Sequence, residues 1–195
     1  RERPDVVKKR AEFCAAVAEV DPDHLVYLDE MGVHVAMTPT QARAPVGERA
    51  VCSVPGSHGG NISVIAAMRR EALLEWYAHD GAVNEERCVA FGHRFAVHLK
   101  PSDVVIMDNV RFHHTAAVKA VIEATGARIL YIPPYHPELD AIEEVFSVVK
   151  RDVRRREPRS VVALVDALRA AFGRLTRAML RAFVDHALDH AIQPS

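Results

Sequence analysis

Three acidic residues stand out because each closes an apolar stretch: Asp29 in HLVYLDEMGV, Asp108 in DVVIMDNVRFH and Glu143 in YIPPYHPELDAIEEVF. A carboxylate beside a hydrophobic core is costly unless something compensates its charge. Three of them converging on one point would form an all-oxygen site for hard divalent cations. Such a site supports metal-assisted phosphoryl transfer. Each acid also has an ordinary explanation when taken alone. Asp29 could open a turn with Gly32, Asp108 could form an Asx turn into the next helix, and Glu143 could sit on a solvated, ion-paired helix face.

The elements that carry these acids sharpen the choice. LVYL and VVIM read as buried strands, and an acid leaving the carboxyl end of a buried strand stands where α/β sheets bind ligands. Side chains alternate along a strand, so Asp29 and Glu30 cannot both face one site. In the segment 141–156, Ile142, Val145, Phe146, Val149 and Val153 form a single helical stripe. At about 100° per residue, Glu143 lies on the flank of that stripe and Glu144 faces solvent. Lys150 and Arg154 share the Glu143 flank. With Arg151 and Arg155 they are candidate contacts to a nucleic-acid backbone, giving register without sequence readout. Asn109, His113 and His136 are candidate accessory residues, the histidines as contacts to a phosphate or a water. Ordinary loop histidines would look the same.

Around these segments the patterning predicts a helix over 3–20, ended by Asp21-Pro22. A strand follows over 24–31, then a turn at Gly32 and a short second strand over 33–38. Residues 39–60, broken by Pro39, Pro45 and Pro55, read as loop. NISVIAAM and ALLEWYAHDG read as antiparallel strands. Asn84 caps a helix running to about Leu99. Thr115 to Thr125 is a helix closed by Gly126, and ARILYIPP is a strand stopped by its prolines. Ser160 and Thr176 each cap a further helix. The order predicts an α/β fold with a mixed sheet. It divides into a linker helix over 1–20, a catalytic domain over 21–159 and two C-terminal helices over 160–195.

Composition narrows the class further. With 195 residues, 49% hydrophobic and 26% charged, the chain can bury a sizeable core. No apolar run is long enough to span a membrane, and the charged start RERPDVVKKRAEF lacks the apolar region of a secretory signal. Cys14, Cys52 and Cys88 are odd in number and far apart, which argues against a disulfide framework and fits a reducing cytoplasm. The eleven histidines include no metalloprotease motif. His186 and His190 lie four apart on a helix and read as solvated rather than ligating. The net charge of −1 is not that of a strong stand-alone nucleic-acid binder, but Lys150 to Arg159 holds six basic residues against two acidic ones.

LVYLDE, VIMDNVRFH and YIPPYHPELDAIEEVFSVVK together resemble the catalytic domain of DDE transposases, nearest to bacterial insertion-sequence enzymes of the mariner-like superfamily. Pro133, Pro134, Tyr135, Pro137, Leu139, Ile142 and Glu143 match that family's last motif. The 34 residues between Asp108 and Glu143 match its spacing. His136, Glu138 and Asp140-Ala141 depart from the usual Ser, Asp and Asn-Pro; Met31 replaces a common Thr or Ser, and RAPVG lacks the second Arg of the family's loop. The resemblance implies a ribonuclease H-like fold and a site where Asp29, Asp108 and Glu143 hold two Mg²⁺, with Mn²⁺ able to substitute. It implies DNA cleavage and strand transfer during transposition, in the bacterial cytoplasm at the nucleoid. The partners it implies are transposon ends, target DNA and a second copy of the chain. A helix-turn-helix DNA-binding region is expected upstream or on a separate chain. On the residues alone three alternatives stay open: a nuclease that only hydrolyses, a decayed, non-catalytic DNA-binding or assembly module, and an α/β small-molecule phosphatase, against which the lack of a Gly-rich phosphate loop near Asp29 or Asp108 counts.

Overall fold

The computed structural model describes residues 3–51, 53–56 and 59–192, so Cys52 lies outside the described residues. The elements run α1 (Pro4–Ala18), β1 (Leu25–His34), β2 (Asn61–Arg69), β3 (Ala72–Asp80), α2 (Glu85–Ala96), β4 (Val104–Met107), α3 (Ala116–Glu123), β5 (Arg128–Tyr131), α4 (Ala141–Arg156), α5 (Val161–Phe172) and α6 (Arg177–Ile192). The five strands form one mixed sheet in the order β3-β2-β1-β4-β5. β1, β2 and β3 are antiparallel neighbours, whereas β4 runs parallel to both β1 and β5.

β1 corrects one expectation. Gly32 does not turn the chain, and 33–38 is not a separate strand. β2 offers a partner from Val26↔Arg69 through Gly32↔Ser63 to His34↔Asn61, so the ladder carries the strand past the glycine. The helices agree with their sequence signals. The Asn84 side chain accepts from the Arg87 N–H, Ser160 from Ala163 and Thr176 from Met179. α2 ends at Ala96, three residues before the expected Leu99. Gly126 has φ +84° and packs where an added Cβ would lie 2.9 Å from Pro101, so only glycine closes α3 in this way.

Strand alternation sorts the core into two layers. Leu25, Tyr27, Met31, Val33, Val104 and Ile106 face α1, α4, α5 and α6. Val26, Leu28, Val105 and Met107 face α2 and α3, against Phe91, Phe95, Val118 and Ile122. The predicted stripe of α4 is wholly inside: Ile142, Val145, Phe146, Val149 and Val153 are all buried. Each such side chain contributes about 1.5–3 kcal/mol, and together they fix the rotation of α4 about its axis. No helix among the described residues is long and apolar enough to cross a membrane.

Candidate active site

The β1–β4 pairing ends at Leu28↔Met107, so Asp29 and Asp108 are the next residues on two parallel neighbours. By alternation Asp29 shares the face of Leu25 and Tyr27, which is the face covered by α4. Glu143 comes from the first turn of α4. All three line one cleft of about 260 Å³, together with Asn109, residues 132–137 and Asp140. Its wall is built by the turn after β5. There Tyr135 takes a left-handed φ of 67°, which redirects the chain from Pro134 into α4.

The structure adds a fourth acid, Asp140. It is the N-cap of α4, its side chain accepting from the Ile142 N–H at 3.3 Å, and it is 5% exposed. Burial pushes its carboxyl well above the usual range, and the nearby Glu143 and Asp108 add to this. Asp29 is 6% exposed. Burial first, then Asp140 and Glu30, push it up to about 9. Asp108 behaves differently. Burial works to raise it, but the bond to His113 and the Val110 N–H hold it below the usual carboxylate range.

The candidate accessory residues take distinct places. His113 is fully buried, with Nδ1 2.8 Å from Asp108 Oδ1 and Nε2 3.4 Å from Glu30 Oε2. Burial alone would lower its pKa. The neighbouring Asp108, Cys88 and Glu30 outweigh that and push it up to about 12. Asn109 donates from Nδ2 to the Ile132 carbonyl at 3.2 Å, tying the two loops that frame the cleft, while its Oδ1 lies 2.6 Å from His114 Nε2. His136 lines the cleft and is held through Nδ1 by Glu138 at 2.8 Å.

Glu144 does not face open solvent as helix phase alone suggested. It is half-buried against α6, with Oε1 3.7 Å from His186 Nδ1, because α6 packs over that side of α4. Farther along α4, Arg151, Arg154 and Arg155 line a second hollow with Pro39, Thr40 and Gln41, and Lys150 does not take part in it. Among the described residues these three arginines form no ion pair, whereas Arg156 is bound to Asp152 and Arg159 to Glu157.

Sequence reasoning missed Asp140 and the role of Glu30. The signal for Asp140 was present, an acid immediately before an amphipathic helix. Glu30 was set aside because it points away from Asp29. It does so, and it reaches the site from behind, through His113.

The donor set of the cleft fits hard divalent cations: four carboxylates, Asp29, Asp108, Asp140 and Glu143, and no thiolate. Among the described residues the acids do not close into a ligand sphere.

Fold and site together define a ribonuclease H-like domain, with Asp29 inside β1 where its parallel pairing to β4 ends, Asp108 just past β4, and Glu143 on α4. The sequence profile of the DDE superfamily endonucleases matches residues 24–165, and the chain belongs to that family. No curated protein sequence matches the chain. Among solved structures, the Mos1 transposase in a pre-cleavage transpososome superposes with a TM-score of 0.83 at 12% identity, over 98% of this chain and 62% of that one. The Mos1 paired-end complex with Mn gives 0.80 at 13% identity, over 98% and 62%. The isolated catalytic domain of Mos1 gives 0.75 at 11% identity, over 98% of this chain and 92% of that one. The chain thus spans about three fifths of the Mos1 chains in those complexes and nearly the whole of the isolated domain.

Proposed function

We propose that this chain is the catalytic domain of a transposase of the mariner-like type, cutting DNA at transposon ends and joining the freed 3′-hydroxyl to target DNA. The observation that carries this reading is the convergence of Asp29, Asp108 and Glu143, from three separate elements, on one cleft. Membership of the DDE endonucleases supports it.

Asp29, Asp108 and Glu143 would hold two divalent cations, Mg²⁺ with Mn²⁺ as substitute. Cations so held supply nucleophile activation and leaving-group stabilisation for an in-line displacement. The Mos1 structures with Mn and Mg support that choice of metal. The protein's own part is placement. Asp29 and Asp108 are fixed by the sheet, and Glu143 by the buried stripe of α4. His113 holds Asp108, and Asn109 ties together the loops around it. Arg151, Arg154 and Arg155, with Lys150 beside them, would hold the phosphates of the bound strand. No side-chain nucleophile is required, because the attacking oxygen comes from water and then from DNA.

The partners in this reading are transposon ends, target DNA and a second copy of the chain on paired ends. The terminal repeats would be read by a helix-turn-helix region outside these residues. The setting would be a bacterial cytoplasm, with the gene on an insertion sequence. The test is a strand-transfer assay with pre-cut ends bearing a free 3′-OH. Joined product in Mn²⁺, lost in Asp108→Asn, supports the proposal. Nicking without joining would leave a hydrolytic nuclease, and neither reaction would leave a non-catalytic module.

A further inference from the structure

His113 and Glu30 are the least accounted-for polar residues near the cleft, because neither lines it. His113 sits in the 3-10 turn Arg111–His114 that follows β4 and is sealed from solvent. Phe112 packs edge-on against its ring at 4.7 Å, and the Tyr131 hydroxyl holds its backbone by donating to the His113 carbonyl at 2.9 Å. It faces a carboxylate at each nitrogen, Asp108 Oδ1 at 2.8 Å and Glu30 Oε2 at 3.4 Å. Glu30 Oε2 and His113 Nε2 are both buried, lie 3.4 Å apart and make no hydrogen bond of regular geometry.

The consequence falls on Asp108. Its Oδ1 accepts from the Val110 N–H at 3.1 Å and also meets His113. With Oδ1 taken up from behind, Oδ2 is the oxygen left for the cleft. We infer that Glu30 and His113 are positioning residues, a buried carboxylate–imidazole strut from β1 that fixes the rotation of the Asp108 carboxylate and presents one chosen oxygen to a divalent cation. β1 then serves the site from both faces, with Asp29 as ligand on one and Glu30 as brace on the other. Partners that orient a metal-binding group in this way are typically worth roughly 10- to 100-fold in metal affinity.

The inference rests on the metal reading of the cleft, and one experiment separates the two. Mn²⁺ binding to the otherwise metal-free protein is measured by the loss of the free-ion paramagnetic resonance signal, for wild type, Asp108→Asn, His113→Asn, Glu30→Gln and the double variant His113→Asn/Glu30→Gln. The strut predicts affinity weakened roughly 10- to 100-fold in His113→Asn. Glu30→Gln falls less, and the double variant is no worse than His113→Asn, because Glu30 acts only through the ring. A merely structural role would lower the melting temperature and leave Mn²⁺ affinity unchanged. That result in His113→Asn and Glu30→Gln, with binding lost in Asp108→Asn, overturns the strut. Unchanged binding in Asp108→Asn overturns the metal reading itself. If His113→Asn does not fold, Glu30→Gln decides alone: weaker Mn²⁺ binding supports the strut and wild-type binding removes it.

Discussion

Asp103 and Asp29 are buried carboxylates at opposite ends of the same parallel strand pair, and their surroundings could hardly differ more. Asp103 immediately precedes β4 and is fully enclosed. Its Oδ2 accepts from Arg69 at 2.9 Å and from the Lys100 N–H at 2.8 Å, and its Oδ1 lies 3.1 Å from His24. Asp29, at the carboxyl end, has other acids as its charged neighbours, Asp140, Glu30 and Asp108. Burial alone therefore does not mark a functional acid. A buried acid with its cations already in the protein is a structural joint. A buried acid among other acids is what the proposed metal site requires.

The largest expected effect tests the second half of that contrast. Asp108→Asn should cut Mn²⁺-dependent nicking of transposon-end DNA by about a thousandfold or more, as removing a group that works in concert with others does. Its thermal unfolding in metal-free buffer should fall, because buried His113 loses its nearest carboxylate, while the protein stays folded at the assay temperature. Nicking at wild-type rate would remove Asp108 from the chemistry.

Next in size is the mirror experiment at the other end. Asp103→Ala leaves Arg69 in a mostly buried place without its partner, and breaking such a pair costs about 3–5 kcal/mol. Urea unfolding should show that loss, while the fraction still folded should nick DNA normally. A stable Asp103→Ala protein that had lost activity would erase the distinction.

A pH series sharpens the contrast further. Asp29 is held near 9 in the folded chain, above its unfolded value of 3.8. Its folded pKa is raised, so its stabilising effect is complete below about pH 4 and is lost progressively as pH rises through about 9. Asp108 is shifted the other way and loses stability only in acid. His113, raised to about 12 from an unfolded 6.5, also loses stability as pH rises above about 6.5, but it does so in wild type and variant alike and drops out of the difference. The measurement is the urea midpoint of wild type against Asp29→Asn from pH 5 to 9 without metal. The variant should gain on wild type as pH rises, and saturating Mn²⁺ should stabilise wild type alone. A constant gap would show that Asp29 ionises normally.

The phase of α4 placed Glu143 at the cleft from five apolar positions, because a fully buried stripe leaves one rotation open to the helix. The same phase keeps Glu144 out of the cleft, but it is counted from the helix's own core face and does not show α6 arriving on the other side, where Glu144 meets His186. Gly32 misled for a related reason: whether a glycine bends a strand depends on its partner, and β2 supplied one. Alternation separated Glu30 from Asp29 correctly. It could not show that the opposite face leads back to Asp108 through His113, because that link joins residues 83 positions apart in the chain.

The smallest expected effect concerns Asp140, and it isolates charge from shape. Asn caps a helix about as well as Asp, so Asp140→Asn should keep the bond to the Ile142 N–H and the start of α4. What it removes is a buried acid beside Asp29, Glu143 and Asp108, whose mutual repulsion the metal-free fold must bear. The variant should therefore be more stable than wild type without metal, by about 1 kcal/mol, or roughly 2–4 °C in melting temperature for a chain of this size. Asp29 should titrate lower, which the same urea series detects as a flatter pH dependence. A variant less stable than wild type would mean that Asp140 has a cationic partner in solution, as Asp103 does, and belongs with the structural acids.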